Sequence, residues 1–425
     1  MTPPAAPAAL PKVSGLRCVL CGAVYPHGAV EYTCPRCGIE GILDVEYDAE
    51  RIGRHFSRSA LEANPDRSLW RYRALLPVPD DAALLPPPRL QVGFTPIVEA
   101  PALAKELGLG ALLVKDDGRN PTASFKDRAS AVGVLRARWL GRDTITCSST
   151  GNAASSLAGF AAEAGMKAFI FVPASAPEAK VAQLLVYGAK VFLVEGPYED
   201  AFRVCEAAVE GFGWYNRNCA INPYLVEGKK TCGLEIGEQL RESPPDVVTI
   251  ALGDGCTTAG IWKGLVEMKT HGILGRLPRL LAVQAEGAAP LAKTFARGDE
   301  TIEPVAAQTL ADSINVGSPR NGIKALRAVR ASGGAVVTAA DAAILSWVPR
   351  LARATGVFAE PTGVAALAGL EAALAKGLVA RGERVLHVAT GNGLKDTRGA
   401  MRSVGPPTRI PPDLDAVRRE LEKNA

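Results

Sequence analysis

The chain has 425 residues, 48% of them hydrophobic and 22% charged; at roughly 150 residues per domain, that is enough for about three folding units. Lys and Arg number 48 against 44 Asp and Glu, too even a balance for a dedicated nucleic-acid binder. The composition excludes an intrinsically disordered chain, and no stretch of roughly 18 apolar residues free of charge predicts a membrane helix.

Met1 to Pro11 is rich in Ala and Pro, with neither a basic start nor an apolar run. It does not read as a signal peptide, and residues 1–15 are expected to be a disordered lead-in. A ribbon is expected over 16–50. Cys18 and Cys21 form one C-x-x-C, Cys34 and Cys37 another, and each pair is followed by glycine, Gly22 and Gly38. Two such knuckles offer four thiolates to one tetrahedral, structural zinc, and glycine allows the tight turn each needs. Four buried free thiols are the alternative. His27, between the knuckles, reads as a turn residue. From Leu16 to Glu50 the basic residues are Arg17 and Arg36, against Glu31, Glu40, Asp44, Glu46, Asp48 and Glu50. An acidic ribbon repels phosphate, so it reads as a structural appendage without nucleic-acid contact. The other cysteines (Cys147, Cys205, Cys219, Cys232, Cys256) are scattered. No disulfide framework is expected, and a reducing cytoplasm fits.

Residues 51–92 form a connector broken by Pro65, Pro77, Pro79 and Pro86 to Pro88, which excludes one continuous helix or a central strand. From Gly93 onward, strand-length apolar runs alternate with Ala-rich helical stretches. Strands are expected at Ala111 to Lys115, Thr144 to Cys147, Ala168 to Val172, Lys190 to Val194, Asp246 to Leu252, Leu280 to Gln284 and Arg384 to Val388. Helices are expected at Ser155 to Glu163, Glu178 to Tyr187, Ala201 to Val209, Asp341 to Arg353 and Val364 to Ala375, with a charged, solvent-facing one at Asp413 to Lys423. This alternation predicts an α/β fold with mainly parallel sheets, in which ligands sit beyond the carboxyl ends of strands.

Four polar segments follow strands. Asn120-Pro-Thr-Ala-Ser-Phe-Lys-Asp-Arg128 places Lys126 in a polar turn. Partial burial lowers a lysine's pKa and suits it to Schiff-base chemistry; an exposed helix-start lysine is the plain alternative. Ser148-Ser-Thr-Gly-Asn152 opens a helix and offers amides and hydroxyls to an anion. Gly253-Asp-Gly-Cys-Thr-Thr-Ala-Gly260 precedes a helix starting near Ile261 and can wrap a phosphate. It is not a Walker loop, and it fits a nicotinamide fingerprint poorly. Thr390-Gly-Asn-Gly-Leu-Lys-Asp396 puts a neutral hydroxyl at a strand end, or is a plain glycine turn.

Together with Asn222-Pro223, Glu227-Gly228, Lys230-Thr231 and Glu360-Pro361, these segments resemble the threonine synthase family over about Gly93 to Asp396. That family consists of pyridoxal-phosphate enzymes of the tryptophan-synthase-β fold (fold type II), and many members begin with a C-x-x-C ribbon ending in a stretch like Leu43 to Asp48. The resemblance implies that Lys126 attaches the cofactor and shuttles protons. Asn152 contacts the ring oxygen, Gly253, Asp254, Gly255, Cys256 and Thr257 hold the phosphate, and Thr390 faces the ring nitrogen. It also implies that Ser124, Ser149 and Thr150 grip the substrate, and that Glu360-Pro361 approaches the cofactor. The implied layout is a large domain, 93–134 and 221–410, with a smaller α/β domain, 135–220, inserted into it and a tail at 411–425. The implied partner is a small amino-acid substrate, with no membrane; a homo-oligomer is allowed, and domain closure on substrate is expected.

Three departures stand out. Asp254 occupies a position where the family has Asn; either it points away and braces the loop, or the phosphate assignment is one turn off. Leu225 and Asn315 stand where the family has arginines, and Arg is the preferred bidentate phosphate partner. Lys115, Arg119, Arg128, Lys229 and Arg320 are the candidate replacements. The implied reaction is conversion of O-phosphohomoserine and water to threonine and phosphate. The rival is a β-eliminating or β-replacing lyase on serine, threonine or a related amino acid, like an ammonia-lyase or a cysteate synthase. Readings from other classes are a nicotinamide oxidoreductase and a non-enzymatic zinc-ribbon binding protein.

Overall fold

The computed structural model describes residues 10–176, 178–196 and 198–423. Residues 1–9 of the expected lead-in lie outside this range. The rest of it differs from expectation: Leu10 and Lys12 are buried, and the first strand begins at Val13. Lys12 Nζ donates to the Arg73 carbonyl at 2.8 Å and to Asp80 at 2.5 Å, which ties this segment down.

Three sheets organise the described residues. The ribbon is a three-stranded antiparallel sheet of Val24–Tyr25, Val13–Cys18 and Leu43–Tyr47. A six-stranded sheet runs Ala335–Ala339, Arg279–Ala285, Val247–Ala251, Arg384–Ala389, Ala111–Asp116 and Ile97–Glu99. All its neighbours are parallel except the last pair. A fully parallel four-stranded sheet runs Lys190–Val194, Lys167–Pro173, Thr144–Ser148 and Tyr215–Asn216. Strands covered on both faces need apolar residues throughout; Val247–Ala251 is buried at every position. Its Thr249 is satisfied by the ring of His387 on the neighbouring strand at 3.0 Å, and His387 meets the Gly363 carbonyl at 2.8 Å.

Three helices lie close together beneath the site: Lys126–Trp139, Pro223–Gln239 and Cys256–Thr270. Asn222 caps the second, accepting the Tyr224 amide at 3.1 Å, with Pro223 at the first helical position. The backbones approach closely through glycine: a Cβ on Gly228 would lie 2.2 Å from the Arg128 carbonyl, and one on Gly264 2.1 Å from the Lys230 carbonyl. Leu225 is fully buried and packs on Gly133 of the first helix.

A buried ion network pins Lys126–Trp139 to the six-stranded sheet. Arg128 pairs with Asp117 at 2.6 Å and Glu235 at 2.5 Å, and Lys115 pairs with Glu235 at 2.8 Å, all fully buried. Thr95 Oγ1 donates to Asp117 at 2.7 Å. Buried charges are tolerated when paired and hydrogen-bonded in this way.

The connector forms short pieces, Ala49–Gly53, Arg58–Ala63 and the 3-10 turn Leu69–Leu75. It packs inward through Arg71, which pairs with Glu238 at 2.7 Å. The ribbon touches both larger layers. Asp44 pairs with Lys324 at 2.8 Å and Lys263 at 3.1 Å, and Tyr47 donates to Glu227 at 2.8 Å. On the other side, the Asn216 amide donates to Tyr32 Oη at 3.0 Å and His27 stacks on Trp139 at 5.8 Å. Among the described residues, no helix is long and apolar enough to cross a membrane.

Candidate active site

The four polar segments of the sequence leave the carboxyl ends of parallel strands and converge. Thr390–Gly391 zips to the lysine turn: the Phe125 amide donates to the Thr390 carbonyl at 2.8 Å and the Asn392 amide to the Ala123 carbonyl at 3.0 Å. Ala123 adopts φ +66° to make that turn, a strained conformation for a residue with a side chain. Asp127 locks it from below by accepting the Thr122 amide at 2.6 Å and the Thr122 hydroxyl. Lys126 is thereby set at the first position of its helix.

One cavity opens between the sheets. Lys126, Asn152, Gly253, Asp254, Gly255, Cys256, Thr257 and Thr390 all line it. A second cavity shares Asn152 and Glu360 with the first and adds Thr150 and Lys395. Lys395 Nζ donates to Ser155 Oγ and Gln183 Oε1, both at 2.8 Å. Ser124 and Ser149 line neither. Ser124 is fully buried beside the lysine, and the Ser149 hydroxyl accepts the Gly151 amide at 3.2 Å.

The lysine is electrostatically prepared. Burial pushes the Lys126 ammonium down to about 8, with Lys229 and Arg217 adding to the effect. Across the cavity, the helix Cys256–Thr270 starts sooner than the sequence pattern indicated. Gly255 caps it at φ +97°, where a Cβ would meet the Asn321 carbonyl at 2.5 Å. The unpaired amides of its first turn, with the helix dipole, form an anion site. Asp254 does not spoil it: its carboxylate accepts the Arg320 amide at 2.8 Å and braces the adjoining loop.

Two hydroxyls lining this cavity, Thr258 Oγ1 and Thr390 Oγ1, are buried with no hydrogen-bond partner in the protein. Buried polar groups rarely go unpaired, so a polar ligand fits between them. An anion at the helix start, an aldehyde at Lys126 and a ring acceptor at Thr390 are the demands these residues make, and pyridoxal phosphate meets all three.

Sequence reasoning placed Thr258 in the phosphate loop but missed Ser313 and Thr362 as cavity residues. It also missed the bond from Asn152 Nδ2 to Glu360 Oε1 at 2.8 Å. Of the candidate replacement cations, Lys115 and Arg128 are consumed by Glu235 and Asp117. Arg119 is exposed, and Arg320 stacks over Phe202 at 4.1 Å. Lys229 lines the cavity.

In the ribbon, the sulfurs of Cys18, Cys21, Cys34 and Cys37 all lie within 4.8 Å of one another. Cys18–Cys37 and Cys21–Cys34 are separated by 3.9 and 3.7 Å. A tetrahedral zinc with Zn–S bonds of about 2.3 Å requires about 3.8 Å, so the geometry fits.

Residues 88–391 match the model of the pyridoxal-phosphate dependent enzyme family. The threonine synthase of Methanocaldococcus jannaschii is 38% identical over 96% of this chain and 99% of its own length. That of Methanosarcina acetivorans is 38% identical over 96% of this chain and 98% of its own, and that of Mycobacterium tuberculosis 36% identical over 82% and 94%. Among solved structures, a threonine deaminase isoform from Solanum lycopersicum superposes with TM-score 0.63 at 20% identity, covering 73% of this chain and 83% of that one. Maize serine racemase superposes with TM-score 0.60 at 20% identity, covering 78% and 93%. At these identities the structures speak to the fold, which is shared.

Proposed function

This chain belongs to the pyridoxal-phosphate dependent enzyme family, on its threonine synthase branch, and from that premise we propose that it converts O-phosphohomoserine and water to threonine and phosphate. The observation that carries the reading is the placement of Lys126: half-buried, lowered to about 8, and in one cavity with a free helix N-terminus and the unpartnered hydroxyl of Thr390. Family membership sets aside the nicotinamide and non-enzymatic readings.

When bound, pyridoxal phosphate supplies an electron sink that acidifies the carbons next to the substrate's amino group. Lys126 would hold it, and its amine near neutrality can then accept and return protons at the α- and β-carbons. Gly253 to Thr257 would hold the phosphate through backbone amides. Thr390 offers a neutral hydroxyl where a carboxylate would impose a fixed positive charge on the ring. That weaker sink suits elimination and replacement better than transamination. Asn152, held by Glu360, would orient the ring, while Thr150, which lines the second cavity, is assigned to the substrate's carboxylate side. Zinc on Cys18, Cys21, Cys34 and Cys37 would be structural, since four thiolates leave no open position.

The test is stoichiometric. O-phosphohomoserine should yield phosphate and threonine in equal amounts. Leu225, packed on Gly133 where the family has arginine, is the observation that favours the rival. Ammonia or pyruvate release from serine, without turnover of the phosphorylated substrate, would establish a β-lyase instead.

A further inference from the structure

Beside Lys126 lies a cluster of cations with no carboxylate of its own. Arg217 is 2% exposed and Lys229 3% exposed. None of the groups Arg217 donates to is a carboxylate: Ser130 Oγ at 3.1 Å, the Lys126 carbonyl at 3.3 Å and Cys219 Sγ at 3.2 Å. Among the described residues, no carboxylate lies within ion-pairing distance of Arg217, Lys229 or Lys126, whereas the buried Lys115, Arg128 and Lys230 nearby each have one. Cations buried without counter-charge are costly. Such a group is stabilised by an anion that enters.

The helix start at Cys256 and the hydroxyl of Thr258 already provide for one anion, the cofactor's phosphate. The cluster carries positive charge beyond that. The chain also lacks the family's arginine: Leu225 stands in its place and is turned into the contact with Gly133. Lys229 stands four residues further along the same helix and lines the cavity.

We propose that Arg217 and Lys229 form a second anion subsite that receives the phosphoryl group leaving the substrate, in place of the missing arginine. The assignment rests on the reading of the substrate as a phosphate monoester. When the carbon–oxygen bond breaks, its electron pair departs with the phosphate, and the two cations stabilise the added charge. Cys219 reports on the cluster. Although burial opposes its ionisation, Lys229, Arg217 and Lys126 hold its thiol below the ordinary value. A dianion bound to those cations withdraws that support.

Inorganic phosphate and iodoacetamide, applied to the holoprotein, test this. In the parent protein, phosphate competes with O-phosphohomoserine and slows alkylation of Cys219, read by peptide mass spectrometry. R217M and K229Q raise KM for O-phosphohomoserine by about tenfold or more. In both, Cys219 reacts slowly and phosphate has no further effect, while the visible absorbance of bound cofactor persists. R217K, which keeps the charge, recovers most of the loss and controls for misfolding. Unchanged KM with intact phosphate protection in both variants overturns the proposal. So does loss of cofactor in place of substrate affinity, which would assign the cluster to the cofactor. If the parent protein ignores O-phosphohomoserine but phosphate still protects Cys219 through Arg217 and Lys229, the anion subsite stands and the substrate reading falls.

Discussion

Asn152 Nδ2 donates to Glu360 Oε1 at 2.8 Å, joining two residues 208 positions apart at the wall shared by both cavities. Burial pushes the Glu360 carboxyl up to about 7, against the pull of Lys126 and Lys395. The group is therefore neutral below pH 7 and becomes charged as pH rises through it. The absorbance of the holoprotein should show a step near pH 7, because a charge appears beside the amide that orients the ring. E360Q keeps the contact with Asn152 but cannot ionise. Its spectrum should be flat through that range, and a persistent step would assign the titration elsewhere.

Gly255 sets the start of the anion-binding helix. A side chain there is opposed by φ +97° and by the Asn321 carbonyl 2.5 Å away. The backbone strain of G255A alone costs about 1–3 kcal/mol, and relief of the clash would tilt the first turn. Thermal melts should show lower stability, and reconstitution weaker affinity for the cofactor. Parent-like values for both would mean that this turn is not the phosphate cradle.

Arg128 holds the helix that begins at Lys126. Removing it strands the Asp117 and Glu235 carboxylates, both fully buried. R128M should lose about 3–5 kcal/mol in chemical denaturation. A loss under about 1 kcal/mol would show that the network is not integral to the fold.

The ribbon links the two larger layers through Asp44–Lys324 and Tyr32–Asn216. Purified protein should carry one zinc per chain by elemental analysis. C34S or a strong chelator should release it and lower the melting temperature, because metal binding is linked to folding of such small sites. A metal-free protein with an unchanged melting temperature would leave the cluster as four free thiols.

Much of the site was legible in sequence for a topological reason. Parallel strands deliver their loops to one edge, so the polar segments after Asp116, Ala251 and Ala389 converge at one end of the six-stranded sheet, and the segment after Ser148 joins them from the four-stranded sheet. What was hidden is partnership. Lys115 and Arg128 read as free cations, and only folding shows Glu235 and Asp117 taking them. Arg217 escaped notice because the strand before it, Tyr215–Asn216, is two residues long and carries no apolar run. Strand Ala335–Ala339 was missed because it is a half-buried edge in an Ala-rich stretch that does not alternate. Helix Cys256–Thr270 starts five residues before Ile261 because Gly255 supplies a left-handed cap, a signal weaker than its apolar pattern.

The most direct test is chemical. Reducing the holoprotein with borohydride and mapping its peptides should place the cofactor's mass on the peptide containing Lys126, with loss of visible absorbance. Rebinding of cofactor to stripped protein should quicken as pH rises through about 8, where that amine loses its proton. A cofactor adduct on Lys229, or a protein that takes up none, would contradict the account.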